Sequence, residues 1–338
     1  MSVKKSILIS VLVCVLPILI CILTNTVASD NTVIIYSASE EERTSYLKEE
    51  ISKKFPDTQV IFQSYDTGKL VSKLKAEGKD TDCDIFYDIE ACNANKLVSE
   101  DYDLFYNLSE FDFSIYDEST ISYTKEHKKF AVNGKTCGTI VVNKKVLKDK
   151  GLSKPKTYDD LLDKKYKNLI VMPNPNSSGT GYAFYNGVVS SCGETKAINY
   201  FNKLDSNIKE YTTSGSAPIK AVNKGEAAVG VCLLWQGVTY ANKNKDLEVV
   251  FLNNEASYSL FTMGIINGKE KNSNVKKVFD YLYNDLNKIE VTKYNPDKIY
   301  KNQGKPEIPN YPTDFKEINM VGSFDFKHKK EMLEKWKH

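Results

Sequence analysis

Hydroxyl and glycine residues cluster at the end of the stretch Pro173-Asn174-Pro175-Asn176-Ser177-Ser178-Gly179-Thr180-Gly181. It follows the apolar run Leu169-Ile170-Val171-Met172, which reads as a buried strand, and precedes Tyr182-Ala183-Phe184, which can be helical. The prolines end the strand because neither can donate to a sheet ladder. A strand, a small polar loop and a helix start together collect backbone N–H groups and aim them at an anion. With no lysine in the loop, an anion here is expected to be held by amides and hydroxyls: Ser177, Ser178, Gly179 and Thr180. The other reading of such a string is an ordinary Ser/Gly turn capping a helix.

Thr213-Ser214-Gly215-Ser216-Ala217-Pro218 is a second loop of this kind and adds Ser214 and Ser216. Nearer the N-terminus, Asp88, Glu90 and Glu40 are carboxylates able to pair with a ligand amine; each also reads as a solvated or helix-capping charge. Trp235 and Tyr65 can cover the carbon atoms of a ligand or pack in a core. Beyond residue 29 the cysteines are Cys83, Cys92, Cys137, Cys192 and Cys232, with no C-x-x-C and no Cys/His cluster, so no metal site is expected. The one nucleophile–base combination, Cys137 with His127, carries no motif. No catalytic residue and no cofactor are predicted, and the chain does not read as an enzyme.

These residues need elements to position them. Val33-Ile34-Ile35-Tyr36, Val60-Ile61-Phe62 and Cys83-Asp84-Ile85-Phe86-Tyr87 are short apolar strands separated by helical spacing, which argues for parallel βαβ units. Ligands of such sheets bind beyond the carboxyl ends of the strands. That edge carries Ser37-Ala38-Ser39, read as a helix cap, then Tyr65-Asp66-Thr67-Gly68 and Asp88-Ile89-Glu90. Pro155 to Leu162 is expected to open a helix, with Thr157 and Asp160 in capping-box positions.

The 338 residues suit two domains, and 41% hydrophobic with 27% charged residues describes a globular chain. Lys4 and Lys5 are the only charges before Asp30; without them the 46 basic residues fall to 44 and match the 44 acidic ones. That balance argues against nucleic acid as a partner. Arg43 is the only arginine. Residues 1–29 read as an export signal: Lys4-Lys5, the apolar run from Ile7 to Leu23, then small residues at Val27-Ala28-Ser29. A retained anchor helix, or a lipid on Cys14 or Cys21, would instead hold the protein at the membrane. There is no flexible linker, so the chain is expected to cross between its two domains more than once.

Several of these stretches resemble the bacterial extracellular solute-binding proteins of ABC importers, in the branch of ferric-ion, phosphonate and sugar-phosphate binders. Val33–Ser39, Gly138–Lys144, Pro155–Leu162 with Lys165-Tyr166-Lys167, Pro173–Phe184, Ser214–Pro218, Gly225-Glu226 and Tyr311-Pro312 carry the likeness, in order along most of the exported chain. The resemblance implies a type II periplasmic-binding-protein fold: two α/β lobes with parallel-rich sheets, joined by two hinge strands near Lys135–Thr139 and Asn253–Ser257. Lobe 1 would be residues 30–135 plus 255–338, and lobe 2 residues 136–254. It also implies a monomer that delivers its solute to a membrane permease. Loop 177–180 then holds the anion, helped by Ser214 and Ser216, while Ser37, Ser39, Thr67 and Gly68 complete the cage from lobe 1. Ferric binders of the branch carry two adjacent tyrosines where this chain has Trp235-Gln236, so the usual phenolate pair is not encoded. A phosphonate or phosphate ester in an uncharged cage is therefore the first expectation, ferric iron on a different ligand set the second, and a polyamine or other small organic solute the third.

Overall fold

A computed structural model of the chain describes residues 31–101, 103–121, 128–322 and 325–338. The export-signal stretch of residues 1–29 and His127 lie outside the described residues.

The first half is built of strand–helix units. Strand β1 (Thr32–Ser37) leads to α1 (Glu41–Lys54), β2 (Gln59–Ser64) to α2 (Thr67–Glu77), and β3 (Ile85–Glu90) to α3 (Ala91–Glu100). Strand β1 pairs in parallel with both β2 and β3, and its Val33 and Ile35 are fully buried, which is why the strand reads as a continuous apolar run. Glu41 and Glu42 stand in the first turn of α1 and Lys53 and Lys54 in its last, each complementing the helix dipole. Ser37 and Ser39 do not cap this helix. The Ser37 hydroxyl accepts the N–H of Ser39 at 3.1 Å, a local bond that competes with capping, and α1 starts after Glu40 instead.

Strand β4 (Ala131–Asn143), buried along its whole length, carries the chain into the second half. There follow β5 (Ile170–Pro173), α4 (Gly179–Cys192), α5 (Glu194–Leu204), β6 (Ile208–Thr212), α6 (Ala217–Asn223), β7 (Val229–Leu233), α7 (Leu234–Lys243) and β8 (Leu247–Val250). Strand β5 runs parallel to β6 and β7. The capping box near residue 157 forms: Asp160 accepts the N–H of Lys156 and of Thr157, and the Thr157 hydroxyl accepts the N–H of Asp160. The helix it opens lasts only one tight turn, Asp159–Leu162.

Strand β9 (Glu255–Ile265) returns the chain to the first half, where α8 (Ser273–Tyr281), α9 (Asn287–Tyr294) and the short β10 (Lys316–Glu317) follow; the last helix is α10 (Phe326–Lys335). The strand order is β2-β1-β3-β9-β4-β7-β5-β6, with β10 on β9 and β8 on β4. Two parallel sets, one in each half, are thus joined by the antiparallel pair β9–β4. That is the mixed α/β architecture expected, with the two sheets sharing their long strands. In the β4–β9 register Gly138 stands opposite Ser257, and a Cβ on Gly138 would meet the Ser257 hydroxyl at 2.6 Å. A larger residue at 138 would require the Ser257 hydroxyl to turn away, the backbone oxygen being at an ordinary 3.8 Å.

Separate apolar cores form in the two halves, the first around Val33, Leu47, Ile85, Phe279 and Leu282, the second around Ile140, Met172, Phe184 and Phe201. The tail divides between them. Residues up to Met320 pack with the first, whereas Met332 and Trp336 of α10 are buried in the second. A single block 255–338 therefore does not describe how the tail packs. Among the described residues, no helix is long and apolar enough to cross a membrane.

Candidate ligand-binding cleft

Strand β5 ends at Pro173, and α4 starts six residues later with Ser178 as its cap. Ser178 sits in an extended conformation (φ −133°, ψ 126°) and its hydroxyl accepts the N–H of Gly181 at 3.4 Å. The N–H of Tyr182 bonds to the Ser178 carbonyl, while those of Ser177 and Ser178 bond to the Asn174 carbonyl. Gly179 and Thr180 supply the first two helical amides, which have no acceptor within a helix. Gly181 packs the loop against its strand: a Cβ there would fall 2.4 Å from the Pro173 carbonyl oxygen.

This loop lines a cavity of about 370 Å³ between the two halves, within the range of small-ligand sites. Ser177, Ser178, Gly179, Thr180 and Tyr182 stand on one side; Thr67, Gly68, Glu90 and Asn93 stand opposite; Thr136 of β4 and Ser259 and Phe261 of β9 lie between. Three helices thus begin at the cavity: α2 at Thr67-Gly68, α3 just after Glu90, and α4 at Gly179. No side chain caps α2 or α3. Their positive ends and first amides therefore converge with those of α4.

The other expected residues take different places. Ser214 and Ser216 bond to each other, hydroxyl to hydroxyl at 3.1 Å, and are not among the lining residues. Gly215 between them does bear on the loop, since a Cβ on it would meet the Thr180 hydroxyl at 2.4 Å and that of Ser178 at 3.0 Å. Ser37 is fully buried and holds the Ser39 amide; Ser39, also buried, leaves its hydroxyl without a partner. Neither lines the cavity. Trp235 is half-buried near the start of α7, and Tyr65 donates its hydroxyl to Gln63 while its ring meets Tyr36 edge-on; both stand apart from the lining.

Asp88 turns into the protein. It occupies a bulge of the β3–β9 ladder at φ 68°, and its carboxylate accepts from Arg43 at 2.9 and 3.3 Å and from Asn133 at 3.1 Å. Arg43 also bonds the buried Glu290. Burial opposes the guanidinium charge and raises the pKa of Glu290, but the two carboxylates hold Arg43 charged well above its ordinary range. The single arginine thus ties α1, β3 and α9 together and is not a cleft residue.

Nor is the cleft uncharged. Glu90 lies at its wall, and Lys329, from α10, donates to Glu90 Oε2 at 2.6 Å. Loop composition could not reveal this, because the lysine comes from a helix 239 residues further along. In the sequence Lys329 is one of five lysines from Lys327 to Lys337, with nothing local to single it out.

The cleft between the two α/β halves is thus lined by helix starts, hydroxyls and one ion pair. A family model of bacterial extracellular solute-binding proteins matches residues 106–311, and the chain belongs to that family: it is a binding protein, not an enzyme. An uncharacterized protein of Haemophilus influenzae is 30% identical over 127 residues, 38% of this chain and 37% of the relative. The putative 2-aminoethylphosphonate-binding periplasmic protein of Salmonella typhimurium is 26% identical over 150 residues, 43% of either chain. The chain therefore matches well under half the length of these curated relatives. Over the whole fold, it is similar to the periplasmic binding protein AfuA of Actinobacillus pleuropneumoniae with fructose-6-phosphate bound, with a TM-score of 0.77, 22% identity, and 90% of this chain and 97% of that one covered. Iron-bound HitA of Pseudomonas aeruginosa follows at a TM-score of 0.68 and 15% identity, over 90% and 97% of the two chains.

Proposed function

We propose that this protein captures a small phosphonate or phosphate ester in the cleft and delivers it to the permease of an ABC importer. The observation that carries this reading is the convergence of three helix N-termini, with the hydroxyls of Ser178, Thr180 and Thr67, on one cavity. Each N-terminus presents unpaired amides and a partial positive charge, worth ~0.3–1 kcal/mol apiece toward an anion even at exposed sites. A tetrahedral anion uses such donors from several directions at once. Residues 30–135 with part of the tail form one lobe in this reading, 136–254 the other, and the Gly138–Ser257 crossing the hinge on which they close over the solute. The 2-aminoethylphosphonate named for the Salmonella relative and the fructose 6-phosphate of the Actinobacillus structure both carry a small tetrahedral phosphorus-containing anion.

Ferric iron fits less well. Trp235-Gln236 provides no phenolate, and Tyr182, the one tyrosine among the described lining residues, is buried, which pushes its hydroxyl well above its ordinary pKa and opposes phenolate formation. A polyamine would bring positive charge against three positive helix ends.

Ser178→Asp tests the cradle. Aspartate caps a helix as well as serine does, so the fold is kept while a carboxylate takes the anion's place. Calorimetric titration with 2-aminoethylphosphonate and with fructose 6-phosphate should show at least a hundredfold weaker binding than wild type for whichever ligand the wild type takes. Unchanged affinity would remove loop 177–180 from the site.

A further inference from the structure

Lys329 is the only lysine or arginine among the described residues lining the cleft, and Glu90 the only carboxylate. Their side chains are 14% and 12% exposed, respectively. Burial works against the ammonium of Lys329, but the carboxylate of Glu90 more than offsets it and raises its pKa. Its Nζ also sits 4.6 Å from the centroid of the Tyr182 ring and 3.8 Å from the Cys92 sulfur. Tyr182 follows Ser178 by one helical turn, ~6 Å along α4. The ammonium and the 177–180 loop thus line the same cavity, and the buried hydroxyl of Tyr182, whose ring the ammonium faces, has no partner.

Helix α10 is fixed from both sides. In the second half, the Trp336 ring packs 5.1 Å from Tyr185 and 5.2 Å from Phe201, and the Tyr185 hydroxyl donates to the Met332 carbonyl at 3.3 Å. From the first half, Lys96 on α3 lies 4.0 Å over the Phe326 ring. The N-terminus of α10 is capped by Asp325, whose carboxylate accepts from Lys327 and His328. These contacts make Lys329 a placed charge instead of a free tail lysine.

On the reading of the cleft as an anion site, we propose that Lys329 is its specificity-determining residue: it reads the ligand's negative charge, with Glu90 as the partner it shares. A ligand bearing only a phosphoryl group draws the ammonium from a Glu90 carboxylate that also repels the anion. A zwitterion such as an aminoalkylphosphonate satisfies both groups, its ammonium on Glu90 and its phosphonate on Lys329 and the Ser178 loop. The pair therefore favours zwitterionic phosphonates over phosphate esters without an amine. No covalent chemistry is involved; the C-terminal helix supplies one side of the binding site.

Opposite-sign variants separate this role from that of a strut. Affinities for 2-aminoethylphosphonate and fructose 6-phosphate would be measured by calorimetry for wild type, Lys329→Met, Lys329→Gln and Glu90→Gln, with melting curves confirming that each is folded. Lys329→Met and Lys329→Gln should each weaken 2-aminoethylphosphonate at least tenfold. Glu90→Gln should strengthen fructose 6-phosphate several-fold by freeing the lysine, and weaken 2-aminoethylphosphonate. If Lys329 only braces the cleft, both substitutions weaken both ligands alike, and that pattern, or unchanged affinities, would overturn the proposal. If the wild type binds neither probe, the anion reading of the cleft fails and this inference with it. If it binds and the lysine variants bind equally well, this inference alone fails. Should Lys329→Met not fold, the Lys329→Gln and Glu90→Gln pair still decides.

Discussion

Asp88 and Glu90 are separated by one residue of β3, yet one is locked in the interior and the other stands at the cleft. Asp88 is held by Arg43 at 2.9 Å and by Asn133, in a cluster completed by the fully buried Glu290. Glu90 is held by Lys329 from a distant helix at 2.6 Å and by the side-chain amide of Asn93 at 3.3 Å. The first cluster joins three elements of a single half through a planar, many-donor cation, which suits a permanent tie. The second joins the two halves through an ammonium on a four-carbon stem at the wall of a cavity, an arrangement that can change partners. On the proposed reading, stability falls to Asp88 and recognition to Glu90, by what each one meets.

The largest effect expected from breaking this comparison is on folding. Arg43→Met leaves Asp88 and Glu290 buried without a cation and should cost about 3–5 kcal/mol of stability, read as a lower urea midpoint, with ligand affinity of the folded protein little changed. Lys329→Met also leaves a largely buried carboxylate, Glu90, without its cation, but that carboxylate faces the cavity, so a smaller stability loss than in Arg43→Met is expected, together with a loss of affinity. An equal stability loss in the two variants would dissolve the distinction.

Asp297 supplies a third case: a buried carboxylate bonded by neutral donors, the Cys137 N–H at 2.7 Å and the Tyr311 hydroxyl at 2.8 Å. Burial pushes its pKa up to about 6, against the pull of these two bonds. Because the folded value lies above the ordinary one, the folded state binds the extra proton, so this group's contribution is greatest below pH 4 and is lost as pH rises to about 6. The loss should approach ~3 kcal/mol. Asp297→Asn should remove that slope from urea midpoints measured across pH 4 to 7; a slope that survives would assign it to another group.

Smaller effects belong to the loops around the cradle. Gly215→Ala pushes a methyl group at the Thr180 and Ser178 hydroxyls, and roughly tenfold weaker binding is expected, equivalent to ~1.4 kcal/mol. Ser216→Ala, which only removes a hydroxyl paired with Ser214, should change affinity less than twofold by the same titration. A larger loss would return Ser216 to the site.

The strand end, loop and helix start at 173–181 were legible in the sequence because their signals are local. Prolines stop β5, Ser178 caps α4, and the glycines permit close packing, all within nine residues. Alternating strands and helices likewise announced the parallel units. Local patterns could not tell which way a polar side chain turns. Asp88 looked like a loop carboxylate but sits in a bulge whose left-handed backbone directs it toward Arg43. Ser37 was absorbed by its own turn, and Ser214 and Ser216 by each other. Lys329 was hidden for a different reason: only the tertiary packing of Trp336 and Met332 carries it to Glu90.

The central claim, that the cleft takes a phosphorus-containing anion, is tested most directly by a melting-curve screen of the full chain against 2-aminoethylphosphonate, fructose 6-phosphate, spermidine and ferric citrate. One of the first two ligands should raise the melting temperature at saturating concentration, by the equivalent of ~3–4 kcal/mol at 100–1,000 times Kd. A shift with ferric citrate or spermidine alone would contradict the claim.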